Sequence, residues 1–290
     1  MQKKLLMVVT RLVTRPFHKP LKRNLTTLKA SWDESEADLE YALNGFGHAP
    51  QYWDEFNTIR SYGGQFFGDT SLTPILSTLL PPFLYNVLTT AMERGYEYIG
   101  VLDDDACFTR PAEAIADVIT AFMTYPTLAQ TGPMGNLRKS WRYEGAPAFV
   151  EDLKGSPWTT LGCQIYRVSA LRSLGDISWL NNLYFRADSL IALSLKMHGW
   201  RIVEQDLAFA HEMSTGLSGL VQDEAHHQRM LELGAKDWNV YRTVLAQYAY
   251  CLGKGNDCLP WYGSQIQSIA RAHTRTHTPH IKNKITKRGE

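Results

Sequence analysis

The stretch Tyr96-Glu-Tyr-Ile-Gly-Val-Leu-Asp-Asp-Asp-Ala106 decides the fold. An apolar run ends here in three consecutive carboxylates. Such a run predicts a short strand buried on both faces of a sheet. Gly95 stands directly before the stretch, where a preceding helix would end. The order of helix, glycine and buried strand therefore indicates an α/β protein.

The rest of the chain alternates strands and helices in the same way. We predict strands at residues 4–10, 96–102, 128–131, 162–168 and 200–204, and helices at residues 81–94, 111–125, 169–174, 188–198, 221–233 and 238–252. Residues 14–38 are polar and contain proline, and we interpret them as a long surface connection. The alternation predicts the α/β class, with a largely parallel sheet flanked by helices.

The acidic triplet carries the strongest chemical signal. Asp103 and Asp105 lie on one side of an extended backbone, at the carboxyl end of a buried strand, where open α/β sheets bind ligands. Carboxylates this close repel each other unless a cation compensates them. Oxygen ligands of this kind suit Mg²⁺ or Mn²⁺. We therefore predict a divalent-metal site, with a solvated acidic turn as the alternative.

With this motif the chain resembles the nucleotide-sugar glycosyltransferases of the GT-A fold. Their metal-binding DXD motif ends a strand that follows a helix, as Leu102-Asp-Asp-Asp-Ala106 does. Residues 162–175 are similar to their acceptor-side strand and helix, and residues 185–202 to their second acidic motif. The resemblance covers about residues 1–216. It implies a Rossmann-type mixed sheet, a nucleotide-sugar donor such as a UDP-sugar, and Mn²⁺ or Mg²⁺ as cofactor.

The resemblance also implies roles for single residues. His211 would complete the metal site, and Asp188 would be the general base of an inverting reaction. The family usually has Glu-Asp where this chain has Ala187-Asp188. The residues expected to contact the nucleotide-sugar are Thr10, Arg11, Asp69 and Asp104.

Each of these assignments has a structural alternative. Asp188 could be a helix N-terminal acid that the helix dipole favours. His211 could be an ordinary hydrogen-bonded histidine. Arg11 could belong to a basic arm, and Asp69 to a turn.

The formal net charge of +1 conceals an uneven distribution. Residues 1–29 hold eight basic side chains and no acid, and residues 271–290 hold six basic side chains and one acid. Such ends offer a sequence-independent footprint for phosphates. A loop between them interleaves cations with aromatic rings, which suits stacking on extruded bases. These predicted acceptor contacts are Arg138, Lys139, Trp141, Arg142 and Tyr143.

This pattern suggests DNA as a partner and a hydroxymethylated base as the acceptor, as in the bacteriophage enzymes that glycosylate DNA. Solvated ends, and a loop that binds the donor or a glycan, are the alternatives. A soluble glycan, a protein or a small molecule could then be the acceptor. Two further alternatives are a metal-dependent nucleotidyltransferase and a non-enzymatic nucleic-acid-binding protein. The glycine-rich loop usual in the former is missing from residues 7–13.

The sequence predicts three segments: a glycosyltransferase core at residues 1–216, a helical extension at residues 217–270 and a flexible basic tail at residues 271–290. The apolar run at residues 5–9 is too short to span a bilayer, so no membrane association is expected. Four cysteines make no disulfide framework. We therefore expect a cytoplasmic protein, in the host cytoplasm if a phage encodes it.

Overall fold

The computed structural model describes residues 3–12, 19–44, 50–67, 80–133, 149–151, 162–182 and 187–211. The strands of these segments are β1 (Leu5–Leu12), β2 (Ala37–Asn44), β3 (Gln65–Phe66), β4 (Tyr98–Asp103), β5 (Ala106–Phe108), β6 (Leu128–Pro133), β7 (Phe149–Glu151), β8 (Cys163–Arg167), β9 (Arg201–Gln205) and β10 (Phe209–His211). The helices are α1 (Lys19–Leu25), α2 (Lys29–Glu34), α3 (Pro50–Ser61), α4 (Leu80–Glu93), α5 (Pro111–Thr124), α6 (Val168–Ser173), α7 (Ala187–Met197) and a 3-10 helix (Ser178–Asn182).

Eight of the strands form one mixed sheet, in the order β3-β2-β1-β4-β8-β6-β9-β7. β1 is an interior strand and pairs in parallel with both β2 and β4. β8 runs antiparallel to β4 and to β6. β5 and β10 form a separate antiparallel pair. The predicted α/β class, with a mixed sheet flanked by helices, is confirmed.

Both faces of the central sheet are buried, which explains the continuous apolar runs of β1 and β4. Leu6 and Val8 pack on one face, in a cluster with residues of α4, α6 and α7. Leu5, Met7 and Val9 pack on the opposite face, in a cluster with residues of α1, α2 and α5. Successive residues of β1 therefore serve opposite layers of the fold.

The interpretation of residues 14–38 as a surface connection is wrong. The segment contains α1, α2 and the start of β2. Leu21, Leu25, Leu28 and Trp32 are all buried, and their spacing is that of one helical face. The basic side chains between them had concealed this apolar face.

The other predicted elements within the described residues are present, with ends shifted by about two residues, which is the usual uncertainty of helix and strand boundaries. Gly95 and Gly199 follow α4 and α7 with positive φ, as expected of helix C-terminal glycines. The predicted helices at residues 221–233 and 238–252 and the basic tail lie outside the described residues. In the described part of the chain, no helix combines the length and apolarity needed to cross a bilayer.

Candidate metal centre

The acidic triplet lies at the carboxyl end of the central strand β4. Asp103 is the last residue of β4, and a turn at residues 104 and 105 leads into β5. β10 pairs with β5 so that His211 lies opposite Ala106. The backbone N–H of Asp103 donates to the carbonyl oxygen of Gly162, at 2.8 Å. The strand pairing thus brings a residue from the end of the described chain to the acidic turn.

Asp103, Asp105 and His211 converge. One possible ligand atom from each of the three side chains lies within 4.8 Å of the others. Nε2 of His211 is 3.1 Å from Oδ1 of Asp105. Asp105 is buried, whereas Asp103 and His211 are partly exposed. The sequence-predicted triad therefore exists as a cluster in space.

The donor set of this cluster fits a divalent cation. Two carboxylates and one imidazole suit Mn²⁺, and carboxylate oxygens also suit Mg²⁺. The hydrogen bond to Asp105 raises the pKa of His211 above its usual value, although burial opposes this. The acids thus create an environment that favours positive charge.

Thr10 supports the first carboxylate of the triad. It pairs in register with Asp103 across β1 and β4. Its hydroxyl lies 3.4 Å from Oδ1 of Asp103 and 3.3 Å from the carbonyl oxygen of Leu102. Thr10 thus lies beside Asp103, and its contact with a nucleotide stays a prediction.

Arg11 lies at the next position of β1 and is fully buried. Its Nη1 donates to Oδ2 of Asp104 at 2.6 Å, and its Nε donates to Oε2 of Glu55 at 2.8 Å. Its Nη2 donates to Oε1 of Glu55. Burial lowers the pKa of Arg11, but the hydrogen bonds and charges of the two carboxylates outweigh it and raise the pKa above its usual value. The predicted contacts of Arg11 and Asp104 with a nucleotide stay untested.

Asp188 lies in the first turn of α7 and is partly exposed. Burial, and then the charge of Asp188, raise the pKa of Tyr166 well above its usual value. Tyr166 belongs to the sheet face that packs against α7. Asp103 is two residues beyond Val101 of the same face. Asp188 therefore lies on the side of the sheet towards which Asp103 points, and its role as a base stays a prediction.

The remaining predicted site residues lie outside the described residues. They are Asp69, Arg138, Lys139, Trp141, Arg142 and Tyr143. Conversely, sequence reasoning missed Glu55. This acid is one of several polar residues in α3, and nothing in its local pattern connects it with Arg11, 44 residues away.

No protein-family model matches the chain, and no curated protein is similar to it. Solved structures are similar at low identity. A mannosyltransferase, PcManGT from Pyrobaculum calidifontis, in complex with GDP-Man and Mn²⁺, is 14% identical with a TM-score of 0.48, over 95% of this chain and 76% of that one. TarS of S. aureus is 13% identical with a TM-score of 0.43, over 79% and 42% respectively. A cytidylyltransferase from Leptospira borgpetersenii is 12% identical with a TM-score of 0.42, over 69% and 75%.

Proposed function

We propose that this protein is a metal-dependent glycosyltransferase that uses a nucleotide-activated sugar, with a UDP-sugar as the expected donor. The observation that carries the proposal is the convergence of Asp103, Asp105 and His211. These residues meet at the carboxyl end of a central β-strand, which is the usual ligand-binding edge of an open α/β sheet.

Asp103, Asp105 and His211 would hold the metal, which when bound stabilises the charge that develops on a departing diphosphate. The side chains of the protein orient the metal ligands and the nucleotide, and they deprotonate the acceptor hydroxyl. Thr10 lies against the carboxylate of Asp103, and Asp69 is proposed to contact the nucleotide. Asp188 accepts the proton of the acceptor hydroxyl in an inverting reaction.

Hydrolysis of nucleotide-sugars tests the proposal. We expect the purified protein to release a nucleoside diphosphate and a free sugar in the presence of Mn²⁺ or Mg²⁺, and to lose this activity with chelator. Asp105→Ala removes a buried ligand and should abolish the release. Asp117→Ala, at an exposed position of α5, is the matched control. Unchanged turnover of Asp105→Ala would contradict the assigned site. Pyrophosphate release from a nucleoside triphosphate would instead identify a nucleotidyltransferase.

We further propose a hydroxymethylated base in DNA as the acceptor. The support is the uneven charge of the sequence and the residues Arg138, Lys139, Trp141, Arg142 and Tyr143, which combine cations with aromatic rings. Incubation with nucleotide-sugars and DNA that carries 5-hydroxymethylcytosine, followed by mass spectrometry of the digested nucleosides, should reveal a sugar adduct. The absence of any adduct, from a preparation that hydrolyses its donor, would exclude this acceptor.

The basic tail gives an independent test of the DNA partner. Deletion of residues 271–290 removes six basic side chains. DNA binding should weaken and depend less steeply on salt, because fewer counterions are released from the phosphates. Donor hydrolysis should be unaffected. If DNA binding also persists unchanged, the tail makes no DNA contact. We expect these reactions to take place in the cytoplasm, since four cysteines in 290 residues make no disulfide framework.

A further inference from the structure

We propose that Arg11, Asp104 and Glu55 form a largely buried clamp that positions the metal-binding turn. They hold the flanking carboxylates, Asp103 and Asp105, at the separation that a divalent cation needs. The inference rests on the proposed function, since it concerns the same metal site. It assigns these three residues to positioning rather than to contact with the substrate.

The first observation is the opposite placement of neighbouring carboxylates in the turn. Asp103 and Asp105 converge with His211. The carboxylate between them, that of Asp104, is 2% exposed and accepts a hydrogen bond from Arg11 at 2.6 Å. A turn whose central side chain is anchored inside the fold has few alternative arrangements for the two residues beside it.

The second observation is that one guanidinium connects three parts of the fold. Arg11 extends from β1, Asp104 belongs to the turn after β4, and Glu55 belongs to α3. Glu55 accepts from both Nε and Nη2 of Arg11, so the planar guanidinium has a fixed orientation. In this orientation the third nitrogen of the guanidinium, Nη1, donates to Asp104. Glu55 therefore acts on the turn through Arg11.

The clamp opposes a movement of the turn that charge repulsion would cause. The carboxylates of Asp103 and Asp105 repel each other, and a turn without restraint would relax by moving them apart. The buried ion pair at Asp104 opposes this movement, because its rupture would leave unpaired charges away from water. The metal ligands are thereby preorganised before the ion arrives. Groups that orient metal ligands in this way typically contribute about 10–100-fold to metal affinity.

A simpler explanation is that Arg11 only offsets the surrounding negative charge. Two variants that preserve every charge distinguish between these explanations. Arg11→Lys retains the positive charge but loses the bidentate geometry. Glu55→Asp retains the negative charge but shortens the side chain. If charge alone matters, neither variant alters Mn²⁺ binding. If the clamp positions the turn, both variants weaken it.

The experiment measures Mn²⁺ binding to the full-length protein by electron paramagnetic resonance of the free ion. We expect the Kd for Mn²⁺ to rise about 10-fold in Arg11→Lys and in Glu55→Asp. Excess Mn²⁺ should restore donor hydrolysis in Glu55→Asp and should not restore it in Asp105→Ala. The matched control is Glu40→Asp, which shortens the acid of another ion pair, that of Arg94. We expect this control to bind Mn²⁺ like the wild type.

Folded variants that bind Mn²⁺ as tightly as the wild type would overturn the clamp while leaving the proposed function intact. If Arg11→Lys does not fold, Glu55→Asp decides, because the side chain of Glu55 is 16% exposed and lies at the periphery of the clamp. A wild-type protein that binds no Mn²⁺ would overturn the proposed metal site itself, and the clamp with it.

Discussion

The two ends of β4 carry similar side chains in different arrangements. Before its amino end, Arg94 donates to both oxygens of Glu40, at 2.5 and 2.6 Å. There Tyr96 also donates to Asp38, at 2.8 Å. Beyond its carboxyl end, Arg11 donates to Asp104 and Glu55, and Nε2 of His211 lies 3.1 Å from Oδ1 of Asp105. The carboxylates of Asp103 and Asp105 converge there with His211.

This difference distinguishes a structural cluster of charges from the proposed metal site. At the amino end, each of the two acids has a donor of the same chain, so the cluster is complete without a ligand. At the carboxyl end, the carboxylates of Asp103 and Asp105 converge with His211, and carboxylates this close repel each other unless a cation compensates them. Their convergence, rather than the number of acids, supports the proposed metal site.

The largest expected effect comes from removing the cation at each end. Arg11→Met leaves Asp104 buried without its guanidinium and also removes the partner of the partly buried Glu55, which should lower the free energy of unfolding by about 3–5 kcal/mol. Arg94→Met removes a half-exposed partner and should cost about 1 kcal/mol. Urea denaturation of both variants gives the comparison. Equal losses would show that burial does not distinguish the two ends.

A smaller effect is expected from substitution of a glycine beside the proposed metal ligands. Gly162 has φ +89°, and a Cβ there would lie 3.2 Å from the ring of His211 and 3.3 Å from Cβ of Ala106. Gly162→Ala should cost about 1–2 kcal/mol through its left-handed backbone and should also displace His211.

The matched control for this change is Gly175→Ala. Gly175 has φ +68°, and a Cβ there would meet no atom within 4 Å. Gly175→Ala should lose about as much stability as Gly162→Ala in thermal denaturation, whereas only Gly162→Ala should weaken Mn²⁺ binding. Equal Mn²⁺ affinity in the two variants would remove His211 from the metal site.

The smallest expected effect is on the pH dependence of stability, through a tyrosine before the amino end of β4. Burial, with help from the hydrogen bond to Asp38, raises the pKa of Tyr96 from 10.0 to about 12. Because the pKa of Tyr96 is higher in the folded than in the unfolded state, its neutral form contributes to stability. This contribution is complete below pH 10 and is lost as the pH rises towards 12. Tyr96→Phe should therefore lose less stability than the wild type over this window. Parallel pH profiles of the two proteins would contradict the assignment.

Much of the fold after residue 80 could be predicted because its signals are local. The strand β4 is a continuous apolar run, and Gly95 and Gly199 mark the ends of α4 and α7. The first part of the chain was harder. Leu21, Leu25 and Trp32 form an apolar helical face, but the polar residues and prolines around them suggested a surface connection. Polar composition thus masked the apolar periodicity there.

The residues of the candidate site also differ in whether a local sequence pattern predicts them. Asp103 and Asp105 are recognisable because they follow a buried strand directly. The approach of His211 depends on the pairing of β10 with β5, about a hundred residues apart in sequence, and only the family resemblance predicted it. The bond between Glu55 and Arg11 depends on how α3 packs, which a local pattern does not encode.

The alternation of β1 has a consequence for how the protein folds. Thr10 and Arg11 point to opposite faces of the sheet, one to Asp103 and the other to Asp104 and Glu55. A slip of β1 by one residue would exchange these faces and leave the guanidinium without its carboxylates. Apolar burial alone would distinguish the two registers poorly, since β1 is apolar on both sides. The register of β1 therefore decides whether Arg11 reaches Asp104, which links the pairing of β1 with β4 to the position of the turn at residues 104 and 105.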